Sequence, residues 1–290
     1  MKIGITADCS SCLEYAQFEH NVRITRTAIH FENETLIDGI DITSDEFYKR
    51  LEASDYIPTT SAPTWSEIEK HVETYKKLGY TDVIHFPISF NLSSYGLNWQ
   101  NLAKEMFEGI NFHVFDTRTA CIMEGYQAYY AEILAAKNYD VKGIFAEVAK
   151  LRDATKAFFV VDDLRYLVKS GRLTTVAGLI GTLAKIKPIL EIDTEGRIVP
   201  FEKIRTHRRA IERMIDLSLE SCKHAKNVIY IVQHANRYEG AEEIAKIIKA
   251  KAHNASRVEI SVITPTVGAH IGSGLLGIAR IITDDLKEKI

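Results

Sequence analysis

The sequence predicts an α/β protein of two domains, because strand-like and helix-like segments alternate first and hairpin-like strands join them later. In the first part, short apolar runs such as KIGITA (2–7) and DVIHFPIS (82–89) are followed by helix-like stretches. This order favours a parallel sheet covered by helices on both faces. Segment 187–205 reads instead as a hairpin that turns at Glu195-Gly196. We therefore predict a parallel-sheet α/β/α domain over 1–155 and an α+β domain with a mainly antiparallel sheet over 156–290.

The elements follow from hydrophobic runs bounded by polar and glycine residues. The predicted strands are 2–7, 22–31, 82–89, 112–116, 156–161, 227–235 and 257–263, besides the hairpin. The predicted helices include 96–108, 120–137, 141–154, 206–222 and 239–252. Two capping boxes are expected to begin helices, TSDE (43–46) with Thr43 as N-cap and TWSE (64–67). Gly79 is expected to end the second of these helices.

Composition and charge exclude several classes of protein. The 290 residues carry 36 basic and 39 acidic side chains, mixed along the chain, for a net charge of -3. A nucleic-acid or anionic-membrane partner usually needs a basic stripe, and none is present. The chain starts directly with a strand pattern, and no apolar run approaches the roughly 20 residues that cross a bilayer. We expect a soluble, cytoplasmic protein.

No motif indicates a cofactor or a metal. There is no GxxxxGK[ST] and no G-x-G-x-x-G behind the first strand, so no nucleotide cofactor is expected. The histidines show no metal-ligand spacing. Cys9 and Cys12 form a C-x-x-C pair, which is compatible with a redox pair or half a zinc site. Because no second pair follows, free thiols in a reducing cytoplasm are the simpler interpretation.

Three polar loops carry the candidate chemistry. They are PTTSAPT (58–64), ISFNLSSYG (88–96) and TVGAHIGSGLLGI (266–278). Hydroxyls and backbone N–H groups near helix starts can bind an anion without a buried opposite charge. Hydroxyl residues are also common in loops because they cap helices and form turns. The residues alone therefore indicate an α/β protein that binds something small and anionic.

These motifs, in this order, resemble the DegV family, the lipid-binding subunit of the bacterial fatty acid kinase system. The resemblance rests on ITADCSS, IPTTSAPT, ISFNLSSYG, VDDLRYLVKSGRLT, GTLAKIKPIL, RTHRRA and GAHIGSGLLGI, and it extends from about residue 3 to 282. It implies a long-chain fatty acid between two domains. It also implies that a separate ATP-dependent kinase phosphorylates the bound acid and that an acyltransferase of phospholipid synthesis receives the acyl phosphate. We expect a monomer without catalytic residues, metal or cofactor.

The resemblance assigns site residues by motif position. The carboxylate-binding residues would be Thr60, Ser61, Ser93, Ser94 and His270. Arg205 would lie near the headgroup, and Arg172 would lie on a surface segment that could face the kinase. Uncharged hydroxyls would suit one site for both a carboxylate and an acyl phosphate. Several positions depart from the family pattern: Cys9, Ala62, Phe90, Ser94 and Tyr95.

Two alternatives remain open on the residues. The chain could be an acyl hydrolase or transferase that uses Ser93 with His270, provided that Asp8 or Asp116 orients the histidine. It could also carry another amphiphile or a regulatory anion.

Overall fold

The computed structural model of the chain describes residues 2–173 and 186–290. Half of the GTLAKIKPIL motif (181–190), namely residues 181–185, lies outside the described residues. In chain order the described strands are β1 (Ile3–Asp8), β2 (Arg23–Thr25), β3 (Ala28–Phe31), β4 (Glu34–Ile37), β5 (Thr59–Ser61), β6 (Asp82–Phe86), β7 (Asn111–Val114), β8 (Thr155–Val160), β9 (Ile189–Ile192), β10 (Ile198–Glu202), β11 (Val228–His234), β12 (Ala255–Val262) and β13 (Leu276–Ile282). The helices are α1 (Ser44–Glu52), α2 (Trp65–Lys77), α3 (Tyr95–Met106), α4 (Ile122–Ala136), α5 (Val141–Asp153), α6 (Arg165–Lys169), α7 (His207–Glu220), α8 (Tyr238–Lys251) and α9 (Pro265–Ile271).

The first sheet is parallel, as predicted, with strand order β2-β1-β6-β7. Every residue of β1 is buried, as expected for a central strand covered on both faces. Helix α4 packs on β1, and Gly125 makes this close approach possible. A Cβ at Gly125 would lie 2.6 Å from the carbonyl oxygen of Ser11. The carboxyl end of β6 therefore leads into the second polar loop (88–96), whereas β3, β4 and α1 separate the first polar loop (58–64) from this sheet.

The predicted strand 22–31 is wrong as a single element, because it divides at Arg26 and Thr27 into β2 and β3. The Thr27 carbonyl accepts a 3.1 Å hydrogen bond from the Asp38 amide, and the Arg26 guanidinium donates to the Asp38 carbonyl. These contacts turn the chain out of the parallel sheet. Strand β3 then forms a three-stranded antiparallel sheet in the order β4-β3-β5. Part of the expected loop 58–64 is thus strand β5.

The second sheet has the order β10-β9-β8-β13-β11-β12, and all its pairs are antiparallel except β11 with β12. This confirms the mainly antiparallel α+β region. The expected loop 266–278 is wrong, because it contains most of α9 and the start of β13. Gly272 and Gly274 have φ of 77° and 94°, so the glycines serve the turn between helix and strand.

One of the two predicted capping boxes forms. Thr43 and Glu46 bond reciprocally at the start of α1. Thr64 makes no side-chain cap at the start of α2, so the second box is wrong. The exposed Thr64 instead accepts through its carbonyl from the Glu67 amide, and the Glu67 carboxylate pairs with Lys70.

One hydrophobic core includes buried residues from both large sheets, for example Ile84 of β6 and Ile231 of β11. Strand β8 begins at Thr155, beside the predicted domain boundary, and the division at residue 155 stays a prediction. Within 2–173 and 186–290, no helix combines the length and apolarity needed to span a bilayer.

Candidate ligand-binding cavity between the two sheets

A cavity opens where the three polar segments meet. Measured as space open to the centre of a water molecule, its volume is about 120 Å³. Thr60 and Ser61 reach it from β5, Ser93 from the loop before α3, and His270 from α9. The structure thus brings together four of the predicted site residues, although they lie up to 210 positions apart in the chain. We call this polar region the mouth.

Hydrogen bonds join the mouth residues to one another. The Thr60 hydroxyl and the His270 Nε2 atom are 2.8 Å apart, and the His30 Nε2 atom lies 2.6 Å from the Ser61 hydroxyl. Antiparallel pairing of β3 with β5 places Ala28 opposite Ser61 and His30 opposite Thr59, so His30 and Ser61 are diagonal neighbours on one face of the small sheet. The mouth hydroxyls are therefore held by the small sheet that the sequence did not reveal.

Helix α9 is held against α1 by a glycine. A Cβ at Gly268 would lie 2.7 Å from a ring carbon of Phe47 and 2.8 Å from the Tyr48 hydroxyl. Only a glycine allows α9 to approach α1 this closely. This packing fixes His270, two residues further along, over Thr60.

His270 is a neutral imidazole at neutral pH. Burial, followed by the positive charge of Arg172, lowers the pKa of His270 to about 4. Its Nδ1 atom is buried and has no hydrogen-bond partner within the described part of the chain. The ring therefore offers hydrogen bonds to a ligand without carrying a charge.

Arg172 lines the mouth, and its possible contact with a kinase stays a prediction. The side chain is half-buried, and its Nε atom donates to the Leu92 carbonyl at 3.3 Å. Its Nη1 atom donates to the Ser170 carbonyl. No carboxylate of the described residues forms an ion pair with it, and burial lowers its pKa. The mouth therefore contains a cation besides its uncharged hydroxyls.

The mouth also contains Asp8, whose carboxylate is already fully engaged. Its Oδ1 atom accepts from the Ser10 amide at 2.7 Å and from the Ser10 hydroxyl. Its Oδ2 atom accepts from the Ile88 amide at 3.1 Å and from the Tyr95 hydroxyl. Four donors make this buried charge tolerable. Asp8 thus ties the turn after β1 to the polar loop 88–96.

Glu124 lies behind Asp8. The Ser10 hydroxyl also contacts its Oε2 atom at 2.8 Å. Burial, and then the charge of Asp8, raises the pKa of Glu124 well above its ordinary value.

Two predicted site residues do not reach the cavity. Ser94 is exposed and precedes α3 without capping it through its side chain. Arg205 is exposed in the turn between β10 and α7. Both lie outside the residues that line the mouth.

The arrangement does not form a nucleophile–base–acid triad in the described residues. No hydrogen bond joins Ser93 to His270, and the partner of His270 Nε2 is Thr60. Asp116 accepts instead from the Phe90 and Arg118 amides. The orienting carboxylate that acyl transfer would require is therefore missing from the geometry.

The cysteines offer no metal or redox centre within the described ranges. All four are free and buried. The Cys9 sulfur lies 3.2 Å from the hydroxyls of both Thr27 and Thr266, and the Cys12 thiol donates to the Ser10 carbonyl. No group of three potential metal ligands occurs among the described residues.

Beyond the mouth lies a second, largely apolar cavity, which we call the tail cavity. Four residues line both spaces: Ala120, Ile198, Val267 and Ile271. The remaining lining of the tail cavity includes Met123, Phe158, Phe159, Ile263 and Leu275, and nearly all of it is buried. An apolar run such as KAFFVV (156–161) predicts a buried strand, but it does not reveal which of its side chains face a cavity.

The hairpin of β9 and β10 closes this arrangement from the second sheet. The Ser89 hydroxyl donates to the Gly196 carbonyl at 2.9 Å, and the Asn91 amide donates to the Glu195 carbonyl at 2.7 Å. Gly196 has φ of 78°, and a Cβ there would lie 2.8 Å from Arg118 Cα. The hairpin tip therefore rests on the second polar loop, and Ile198 reaches the cavity behind it.

Comparisons with known proteins agree with this architecture. The family model described as "Uncharacterised protein, DegV family" matches residues 2–283. A DegV domain-containing protein of Staphylococcus aureus (strain COL) is 34% identical over 284 residues, covering 97% of this chain and 98% of that protein.

Two solved structures have the same fold. A fatty acid binding DegV family protein of Streptococcus agalactiae superposes with a TM-score of 0.88 at 28% identity, over 97% of this chain and 99% of that one. DegV of Bacillus subtilis, a fatty acid binding protein, has a TM-score of 0.85 at 31% identity, with the same coverages of 97% and 99%. The family match and these similarities extend over nearly the whole sequence. The chain therefore belongs to the DegV family.

Proposed function

We propose that the protein binds a long-chain fatty acid, with its carboxylate in the mouth and its acyl chain in the tail cavity. The observation that carries the proposal is the shared lining: Ala120, Ile198, Val267 and Ile271 border both the mouth, which carries the hydroxyls, His270 and Arg172, and a buried apolar cavity. An amphiphile with one anionic end and a long apolar body matches the mouth followed by the tail cavity. The fatty acid binding of the Streptococcus agalactiae and Bacillus subtilis proteins supports the same ligand class.

The energetics divide between the two ends. Each buried methylene contributes about 0.8 kcal/mol, so the acyl chain supplies most of the affinity. The buried carboxylate needs hydrogen-bond donors or an opposite charge as partners. Thr60, Ser61, Ser93 and neutral His270 offer hydrogen bonds, and Arg172 supplies the opposite charge. Ser94 and Arg205 have no part in this site, because both residues are exposed and neither lines the mouth.

The finer part of the proposal is presentation to a separate kinase. The protein would offer the carboxylate to an ATP-dependent kinase and then carry the acyl phosphate to an acyltransferase of phospholipid synthesis. Two features support it. Ser61 and Ala62 at the mouth are exposed, whereas the tail cavity is buried, so only the acid end is accessible from outside. Arg172 can balance the added charge of an acyl phosphate.

The test of ligand class is mass spectrometry of organic extracts from the purified protein. A long-chain fatty acid in stoichiometric amount is expected. Recovery of a different amphiphile would support the alternative carrier, and an extract without lipid, together with no binding of added fatty acid, would contradict the proposal.

Catalysis by the chain itself is tested separately. The protein should not turn over acyl esters. Turnover that Ser93→Ala abolishes would replace the carrier function by a hydrolase or transferase. The kinase step is tested by adding ATP and a fatty acid kinase and following phosphorylation of the bound acid.

A further inference from the structure

The tail cavity contains one polar side chain, Gln233 of β11. It is 5% exposed, and the other residues that line this cavity are apolar, glycine or cysteine. A glutamine amide carries two donors and two acceptor sites. An acyl chain offers no hydrogen-bonding group to this amide.

Gln233 lacks a partner for its acceptor. Its Oε1 atom is buried and has no hydrogen-bond partner among residues 2–173 and 186–290. Its neighbour in the adjacent strand, Ser261 of β12, is 4% exposed, and its hydroxyl is likewise unpartnered within these ranges. Buried polar groups are nearly always hydrogen-bonded, so two such groups side by side indicate a place for a polar ligand atom.

The strand register places these groups beside an open part of the sheet. Ser261, Gln233, Gly277 and Phe159 lie opposite one another on four consecutive strands, β12, β11, β13 and β8. Gly277 has no side chain, and a Cβ there would lie only 3.0 Å from Phe159 Cβ. No side chain therefore stands between Gln233 and Phe159 in this row, and both residues line the tail cavity.

The chemistry of this row favours a hydroxyl group. A hydroxyl donates one hydrogen bond and accepts others, so it can donate to Gln233 Oε1 and accept from an amide N–H. A methylene satisfies neither group. An ionised carboxylate can only accept, so it would leave the Gln233 oxygen without a donor.

We propose that the row formed by Gln233 and Ser261 recognises a hydroxyl along the acyl chain, so that the ligands include hydroxylated long-chain fatty acids. This inference rests on the fatty-acid binding proposed above. It adds a ligand class that an all-apolar cavity would reject, because an unpartnered hydroxyl is costly to bury.

The test compares octadecanoic acid with hydroxyoctadecanoic acids that carry the hydroxyl at successive carbons. Calorimetric titration of delipidated protein gives the ratio of dissociation constants for each hydroxy acid and its parent. We expect one or two adjacent positions at which the hydroxy acid binds at least as tightly as octadecanoic acid. Other positions should weaken binding about tenfold or more, as burial of an unpartnered hydroxyl does.

Gln233→Leu should remove this preference. At the favoured position, the ratio should shift about tenfold toward the parent acid, because the amide partner is lost. The matched control is Gln127→Leu. Gln127 is also fully buried with an unpartnered Oε1 atom, but it does not line the tail cavity, so the ratio should stay unchanged. A ratio of two ligands on one variant does not depend on the folded fraction.

The outcomes separate the two proposals. If octadecanoic acid itself does not bind, the proposed function fails. If it binds and every hydroxy isomer is weakened to the same degree, only the present inference is overturned. It is also overturned if Gln233→Leu alters discrimination between saturated and cis-unsaturated chains but leaves the hydroxyl preference intact.

Discussion

The mouth and the tail cavity adjoin each other, yet they are built from different parts of the chain. The mouth is assembled mainly from a short edge strand, a loop and a short helix, and its proposed ligand-binding side chains are half-buried or, at Ser61, exposed. The tail cavity is lined mainly by side chains on one face of the second sheet and by α9, and these are almost fully buried. The mouth would thus bind the acid end of the ligand close to solvent, and the tail cavity would bury its acyl chain inside the protein.

The two regions therefore contribute different terms to the binding free energy. Apolar burial grows with every methylene that enters the tail cavity. Hydrogen bonds at the half-exposed mouth each contribute about 1 kcal/mol, because water competes for the same groups. Changes in the tail cavity should therefore alter affinity most, and changes at the mouth should alter access and chemistry.

The largest effect is expected at the junction of the two spaces. Ala120 lines both, so Ala120→Leu should obstruct the acyl chain and weaken fatty-acid binding by about a hundredfold or more, equivalent to losing several buried methylenes. Titration with octadecanoic acid measures this. The control is Ala241→Leu in the second hydrophobic core, which overpacks a buried alanine of α8 away from both cavities. Equal losses of affinity in the two variants would show that the junction is not on the ligand path.

The next largest effect is expected from the cation at the mouth. Arg172→Met should weaken fatty-acid binding about tenfold to a hundredfold, because a charge-assisted hydrogen bond contributes about 1.5–3 kcal/mol. Arg205→Met is the matched control, since Arg205 is exposed and does not line the mouth. A larger loss in the Arg205 variant would reverse the assignment and restore the position inferred from motif order.

His270 should make the stability of the ligand-free protein sensitive to acid. Its pKa is lowered from 6.5 to about 4 in the folded state, so the unfolded chain binds the proton first as the pH falls. Between pH 6.5 and 4 the free energy of unfolding should decrease by roughly 2–3 kcal/mol on account of this group. In His270→Gln this part of the decrease should disappear in chemical denaturation at several pH values.

The control for this pH dependence is His224→Gln, an exposed position whose replacement should leave the profile as in the unmodified protein. Asp38 acts in the opposite direction, because burial raises the pKa of its carboxyl to about 6, but it is common to all three proteins and cancels. Parallel profiles for all three proteins would contradict the buried, neutral state of His270.

The smallest effect is expected from single hydroxyls at the mouth. Ser93→Ala should weaken fatty-acid binding by about fivefold, the equivalent of about 1 kcal/mol, and should reduce kinase-dependent phosphorylation more strongly because the carboxylate loses its orientation. Ser94→Ala should change neither, since Ser94 is exposed next to the same loop. Unchanged phosphorylation in the Ser93 variant would remove this residue from the headgroup site.

Much of the fold follows from local patterns. The fully buried run of β1 and the capping box at Thr43 appear where the sequence predicts them, because each depends on residues close together in the chain. The division of 22–31 into two strands was missed, since it depends on contacts with Asp38. The glycine-rich end was read as a loop, although Gly277 lies within a central strand.

The site was predictable only where hydroxyls and a histidine are concentrated in polar segments. Thr60 and His270 are brought into contact as expected, and the three-dimensional structure shows the hydrogen bond that joins them. The short motif around Arg172 does not reveal which way the arginine side chain points, so its position in the mouth comes from the three-dimensional structure. The tail cavity and Gln233 were missed because apolar residues carry no chemical signature.

The sequence by itself determined the alternation of elements and the parallel and antiparallel character of the two sheets, which depend on periodicity and on turn residues acting over a few positions. The resemblance to the family rests on the ordered motifs. The tertiary structure alone decided the order of the strands, the inward position of Arg172, and the junction between mouth and tail cavity. Such features arise when residues 100 or more positions apart pack together, as Thr60 and His270 do across 210 positions. Their geometry is set by the fit of whole surfaces, which no local pattern contains.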